Sequence, residues 1–387
     1  VTVRTRGCPM QYSSDEGVMM KKILLGTTAL VAATAMSAPA LSAERIQLQL
    51  RGYNVAGMAY TDTDNTSDVN EINFGSDSEI HFRGMTTLDN GLEIGFFAEL
   101  ELEDDGAVDS SADTIDEVYL QVQGGFGRLQ FGQQDGANFQ LHIGAPNIFM
   151  GHGVSQPAGG VDMDPFAPYG FGSSSQVGSG NPIDTHAHFT QDFIKVIYFT
   201  PEMNGFQMGF SYTPNPCRND TGYAGCVGTE FGRNFWEVAA AWEVDMNNVT
   251  FGLSGGYGQG ESGSSGHEPR EWSLGLDMDF GGLTLGGSYT NKEYAGTNSN
   301  EQVHWDIGAA YETGPWNFGI QYGNADGDMD WGSVEDEEFN SWAGGVTYMY
   351  GPGMQIGLGV QTLDVDDSGV SNDEDALAVF IENVLRF

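Results

Sequence analysis

The sequence predicts an all-β fold, a transmembrane antiparallel β-barrel of sixteen strands. Three observations predict it. Runs of roughly ten residues alternate apolar with polar side chains, as lipid-facing and interior-facing positions of a barrel strand do. Tight Gly/Asn/Pro turns alternate with longer Asp/Ser/Gly-rich connections along the chain. No segment of the exported part reaches the ~20 apolar residues that a spanning helix needs.

The alternation is clearest where Leu92, Ile94, Phe96, Ala98, Leu100 and Leu102 interleave with Glu93, Gly95, Phe97, Glu99, Glu101 and Glu103. A strand sends successive side chains to opposite faces, so this run has one apolar and one acidic face. In lipid, a sheet that closes on itself satisfies every backbone hydrogen bond, which an open sheet cannot do.

Lys21 and Lys22, the apolar run Ile23 to Met36 and the small residues up to Ala43 form the pattern of a secretory signal peptide over 19–43, cleaved after Ala43 or after Ala40. Val1 to Val18 precede it and read as lying upstream of the true start at Met19 or Met20. Residues 44–387 then form one barrel domain, carrying 10 Lys+Arg against 52 Asp+Glu once Arg4, Arg6, Lys21, Lys22, Asp15 and Glu16 are removed. Nucleic acid is excluded as a natural partner, because phosphate binding needs clustered cations. The acidic balance favours cations, passing through the protein or held on its loops. It also suits solubility at high salt.

Strands are expected near 45–60, 76–88, 92–103, 114–123, 126–134, 188–200, 205–213, 234–245, 249–258, 270–280, 283–293, 302–313, 316–325, 339–350, 354–364 and 376–387. Tight turns fall at Asp89-Asn90-Gly91, Gly124-Gly125, Glu202 to Gly205, Met246 to Asn248, Gly281-Gly282, Gly314-Pro315 and Gly351-Pro352-Gly353. Short turns on one side and long loops on the other are the asymmetry of outer-membrane barrels. Sixteen strands also enclose room for water, whereas eight are filled by side chains. Residues 136–187 lack strand pattern and are rich in Gly, Pro and Ser. A loop of that length is functional or disordered, and inside a wide barrel it narrows the interior. Aromatic residues near strand ends, among them Tyr53, Tyr60, Tyr198, Phe199, Trp236, Trp272, Trp305, Trp316, Trp342 and Tyr348, suit membrane-interface girdles, with subunit packing as the alternative.

Ile80-His81-Phe82-Arg83-Gly84 leads through Leu88-Asp89-Asn90-Gly91-Leu92 to Phe96-Phe97-Ala98-Glu99. Val118-Tyr119, Phe126-Gly127-Arg128-Leu129 and Phe131-Gly132 follow, then the long loop, and the chain ends on Phe387. In this order and spacing the chain resembles the general diffusion porins of Gram-negative outer membranes. That resemblance implies a homotrimer, a third loop folded into the barrel, and an eyelet where acidic loop residues face wall arginines. At the places of those arginines stand Glu79, Asp116 or Glu117, and Gln133. The basic residues that alternation points inward are Arg51, Arg83 and Arg128; the acidic loop candidates are Asp162, Asp164 and Asp184. With Glu99, these residues are the expected pore lining, and the exchange of arginine for carboxylate implies a cation-preferring passive channel for small hydrophilic solutes and ions. Phe387, with Leu385, Ile381, Val379 and Leu377 at two-residue steps, resembles the end read by the barrel-assembly machinery; Asn383 interrupts the row.

Cys217 and Cys226, the only cysteines of the exported part, read as one disulfide closing a loop. Asp326, Asp328, Asp330 and Glu337 fall at positions 1, 3, 5 and 12 of a calcium-loop pattern, although Trp331 replaces its glycine. Asp364, Asp366, Ser368, Gly369 and Asp375 match the same spacing. Calcium or other divalent cations, bridging loop carboxylates to each other or to lipopolysaccharide among the outer-membrane lipids, are the only cofactors the sequence suggests. His186 and His188 beside Asp184 form a weaker metal candidate. Gly-x-Ser-x-Gly in a nucleophile-elbow context, His-Glu-x-x-His and a convincing acid–His–nucleophile set are all lacking, so no enzyme is expected. A substrate-specific channel and a non-channel barrel, an adhesin or structural protein, are the competing readings.

Overall fold

In the computed structural model the described residues are 45–64, 70–102, 115–155, 163–168, 182–215, 233–262, 266–295, 300–327, 337–367 and 374–387. The expected signal peptide, Asp162, Asp328, Asp330, Cys217 and Cys226 lie outside them. The strands are β1 (Gln47–Thr63), β2 (Ile72–Thr87), β3 (Glu93–Glu101), β4 (Ile115–Gly124), β5 (Gly127–Gln133), β6 (Ile194–Phe199), β7 (Phe206–Thr213) and β8 (Arg233–Met246). They continue as β9 (Val249–Glu261), β10 (Arg270–Phe280), β11 (Leu283–Tyr294), β12 (Asn300–Thr313), β13 (Trp316–Gly327), β14 (Glu337–Gly351), β15 (Met354–Asp367) and β16 (Glu374–Arg386), with one short helix, α1 (Ala137–Gln140), after β5.

Each strand pairs antiparallel with its chain neighbours, and β1 pairs with both β2 and β16, closing the barrel. Phe387 completes the closure, because its N–H and carbonyl exchange 3.0 Å hydrogen bonds with Gly52. The tight turns form where glycine permits left-handed backbone: Gly91 has φ +80° after Asn90, and Gly353 has φ +68° in the Gly-Pro-Gly turn.

Alternation becomes two faces. On β16, Leu377, Val379, Ile381 and Leu385 are exposed, whereas Ala376, Ala378, Phe380, Glu382 and Val384 are buried. Asn383 fits the outward row because its amide donates to the Tyr350 hydroxyl at 3.0 Å. Outward aromatics of neighbouring strands touch: Tyr322 meets Trp305 at 5.1 Å and Trp342 at 4.7 Å, and Trp316 meets Tyr348 at 4.5 Å between ring centroids. Tyr53 and Phe199 do not belong to that belt. Both are buried on the interior face, Phe199 packing with Ala137, Ile197 and Ala239.

The expected sixth strand begins six residues late. Residues 188–193 form turns instead, with Gln191 N–H donating to His188 O and Phe193 N–H to Thr190 O, and Gln191 at φ 34°. The connection between β5 and β6 therefore spans 134–193. Its described parts lie against the interior face. α1 packs on β6 to β9, while Ile148 and Phe149 pack on Ala59 and Phe380. Phe166 and Ile183 sit among Ala325, Phe339, Leu363, Val365, Ala376 and Ala378. Glycines on the wall make room for this. A Cβ on Gly275 would collide with the Ile143 carbonyl, and one on Gly359 would stand 2.7 Å from the Phe149 ring.

Candidate functional site: the barrel interior

Buried wall carboxylates hold the long connection. Glu382 on β16 accepts hydrogen bonds from Met150 N–H at 3.0 Å and Gly151 N–H at 3.1 Å. His152 Nδ1 lies 2.9 Å from the same carboxylate, with the ring stacked on Phe380 at 3.8 Å. Asp306 on β12 binds both arms of the connection, Ala145 N–H at 3.2 Å and Thr185 Oγ1 at 3.1 Å. Glu237 on β8 does the same, accepting from Ala137 N–H at 2.9 Å and Thr190 Oγ1 at 3.1 Å. Glu271 on β10 accepts from Phe189 N–H at 3.1 Å. Each of these hydrogen bonds offsets part of the cost of burying a carboxyl group away from water.

One loop carboxylate reverses the arrangement. Asp184 receives Lys292 Nζ from β11 at 2.7 Å, His186 Nδ1 at 3.0 Å, and His188 Nε2. Burial alone would raise the Asp184 carboxyl; the charges at His188 and Lys292 outweigh it and hold it well below the usual carboxylate range. His188 is pushed down by burial against the pull of Asp184. The His142 ring lies 4.3 Å from that of His186, and neither of its nitrogens has a hydrogen-bond partner. Burial, then the charge at His186, drives its pKa well below the ordinary histidine value. The acidic loop residue thus meets a wall lysine where the resemblance implied an arginine.

A second constellation occupies β2 to β4. Glu79, His81, Glu99 and Glu117 are all buried on the interior face. His81 is the cross-strand partner of Arg51 and of Glu99, and Glu79 is that of Tyr53 and Glu101. A β-bulge between Ala98 and Leu100 on the β3–β4 ladder sets Asp116 and Glu117 together opposite Glu99. Carboxylate oxygens of Glu79, Glu101 and Asp116 lie within 4.8 Å of one another, as do those of Glu117, Asp135 and Asp192. The Asp135 carboxyl, on the connection, is held well above its ordinary range by burial and by the Asp192 charge. Glu117 also accepts from the Gln134 amide at 3.3 Å.

Arg51 shares the alternation of the buried Tyr53 and Val55, and Arg83 and Arg128 sit near the turn end of the barrel. Arg83 lies 5.3 Å over the Phe97 ring; Arg128 lies 4.2 Å over Phe199 and donates to Gln140 Oε1 at 3.3 Å. Gln133 departs from expectation. It stands in register with Val118 and Ile194, on the face of Leu129 and Phe131, and its amide donates to the carbonyls of Ile115 at 3.1 Å and Asp116 at 2.6 Å. It fastens the β4–β5 edge and does not line the interior. Asp164 accepts from Phe166 N–H at 2.9 Å, shaping a turn of the connection.

Among the described residues, the calcium-loop candidates stand on strands and not in one loop. Asp326 pairs with Glu338 on the outward face while Glu337 is buried on the inward face, so the expected first and last ligands are separated by the sheet. Asp364 and Asp366 are exposed residues within β15, not loop residues, and Asp364 is the direct cross-strand partner of Asp375.

The residues that sequence reasoning missed, Glu237, Glu271, Lys292, Asp306 and Glu382, share a signal. Each is a charged residue at an inward position beside an outward apolar, aromatic or polar neighbour, such as Trp236, Trp272, Trp305 and Ile381.

No curated protein sequence matches the chain. Solved structures do match in fold. OmpT of Vibrio cholerae, folded in vitro, is 13% identical with a TM-score of 0.58, over 90% of this chain and 100% of that one. An anion-selective porin from Comamonas acidovorans is 17% identical with a TM-score of 0.55, over 88% of this chain and 100% of that one. OmpF of Salmonella typhi, solved with daunomycin, is 14% identical with a TM-score of 0.58, over 87% and 97% respectively. The family model for the Gram-negative porins matches residues 26–368, and the chain belongs to that family of outer-membrane diffusion channels.

Proposed function

We propose that this porin is a passive, cation-preferring channel for small hydrophilic solutes, narrowed by the connection between β5 and β6. The observation that carries the reading is the gathering of Glu79, Glu99, Glu117 and Asp116 on one stretch of interior wall, with Asp135 and Asp192 of the connection beside Glu117. Carboxylates in a low-dielectric wall focus a negative potential, which concentrates cations and repels anions, and selectivity fades as salt screens it. Arg83 and Arg128 stand toward the turn end, where they bear on one mouth of the channel, while Arg51 stands opposite His81. The contacts of the connection with β8 to β16 support a fixed narrowing.

The same contacts favour one competing reading, a barrel whose connection occludes it. Single-channel recordings with a liposome-swelling series of sugars separate the two. Ohmic steps with size-graded permeation support the channel, saturation by one sugar indicates a substrate-specific barrel, and absence of conductance indicates an occluded one.

Further parts of the reading follow the family. The chain is exported through residues 19–43 and assembles as a homotrimer, as the trimer form of Vibrio cholerae OmpT does. Cys217 and Cys226 close a disulfide, and Phe387 is the end presented to the barrel-assembly machinery. Exposed carboxylates such as Asp364 and Asp375 bind divalent cations shared with lipopolysaccharide.

A further inference from the structure

Within the acidic stretch of wall, one group differs in its chemistry. Glu79 and His81 stand two residues apart on β2, facing inward, and Glu99 on β3 is directly opposite His81. One ligand atom from each of the three lies within 4.8 Å of the other two. His81 Nε2 is 2.6 Å from Glu79 Oε2, and His81 Nδ1 is 3.7 Å from Glu99 Oε1. The Glu99 side chain is 9% exposed, yet its Oε2 has no hydrogen-bond partner. A buried carboxylate oxygen left without a donor needs a reason to be there.

We propose that Glu79, His81 and Glu99 form a binding site for a divalent first-row transition metal, of which Zn²⁺ is the test ion. Two carboxylates and a neutral imidazole neutralise a dication and supply three ligands, leaving the remaining positions to water. The imidazole sets the selectivity. Calcium and magnesium take oxygen ligands almost exclusively, whereas a mixed nitrogen and oxygen set suits zinc and its neighbours. His81 lies between the two carboxylates, so a bound ion would sit among all three side chains. Protons compete with a metal for such ligands, so affinity falls as pH falls. Glu101 and Asp116, close to Glu79, add negative charge that draws a cation to the site.

The test uses the full-length folded barrel in detergent, titrated with Zn²⁺ alone by calorimetry in two buffers of different ionisation enthalpy. Wild-type protein binds one Zn²⁺ at this site with proton release, and a hundredfold excess of Mg²⁺ leaves the affinity unchanged. His81→Gln and Glu99→Gln each weaken binding roughly tenfold or more, while Glu338→Gln, on the outward face, does not. Heat-modifiable electrophoretic migration checks that each variant folds. Should His81→Gln not fold, Zn²⁺ protection of His81 from carbethoxylation in the wild type, read by mass spectrometry, replaces it. Affinity that is unchanged without His81, loss of Zn²⁺ to equimolar Mg²⁺, or no protection of His81 overturns the proposal. None of these readouts requires current, so failure of the channel reading leaves them interpretable.

Discussion

Glu382 and His152 are 230 residues apart in the chain and 2.9 Å apart in the barrel, both almost fully buried. The Glu382 carboxylate in this contact also collects the N–H groups of Met150 and Gly151. A closing strand of the barrel therefore holds the far end of the long connection. If that latch is electrostatic, Glu382→Gln keeps the shape and loses the charge, at about 1 kcal/mol per hydrogen bond and roughly 3 kcal/mol in all. Exchange of the amide hydrogens at 150–152 is expected to rise about 100-fold, while those of β15 and β16 stay protected. Unchanged exchange at 150–152 would show that the apolar contacts of Ile148 and Phe149 suffice.

Asp184 and Lys292 form a buried pair that joins the returning arm of the connection to β11. Asp184→Asn removes the carboxylate facing a lysine whose side chain is only 4% exposed, and breaking such a pair costs about 3–5 kcal/mol. Adding Lys292→Met removes the stranded charge and recovers at least half of that loss. A double-mutant cycle on the thermal midpoint measures the coupling, and additive single effects contradict it.

His142 gives the connection a pH dependence. Burial and the neighbouring His186 hold its folded pKa below the ordinary value of about 6.5. The unfolded or undocked state then binds a proton that the docked state refuses. The stabilisation is complete above about pH 6.5 and is lost as pH falls, by up to about 1.4 kcal/mol per pH unit. The groups facing His142 are His186, His188 and Asp184 on the connection and Lys292 on the wall. Amide exchange at 137–145, corrected for intrinsic rates, is expected to accelerate between pH 7 and pH 5. In His142→Phe that acceleration is smaller; an identical profile in the two proteins counts against the role of His142.

The strands were legible because each keeps one apolar face over its length, as Leu377 to Leu385 do, and because Asn90-Gly91 and Gly351-Pro352-Gly353 leave the backbone little choice but to turn. The start of β6 was not. Alternation through His186, His188 and Thr190 imitates a strand, but His186 and His188 turn to Asp184 of the connection itself and Thr190 to Glu237 on the wall. Tyr53 and Phe199 carried the composition of a girdle, and only the pairing register reveals that they point inward. Gln133 was misplaced for the same reason, since a shift by one residue moves a side chain to the other face. The carboxylates that hold the connection were invisible as a set. Their partners include backbone N–H groups 82 to 232 residues away, and no local pattern encodes those contacts. Glu79 and Glu117 were legible as carboxylates at places where the resemblance implied arginines, and Glu99 as pore lining.

The central claim is that this interior wall makes the porin prefer cations. The reversal potential across a planar bilayer in a KCl gradient, compared between wild type and the Glu79→Gln, Glu99→Gln, Glu117→Gln triple variant, tests it most directly. The expected result is a potential of the sign for potassium over chloride, shrinking at high salt and falling toward zero in the triple variant. A potential of the sign for chloride in the wild-type channel, or one untouched by removing the three charges, contradicts the account.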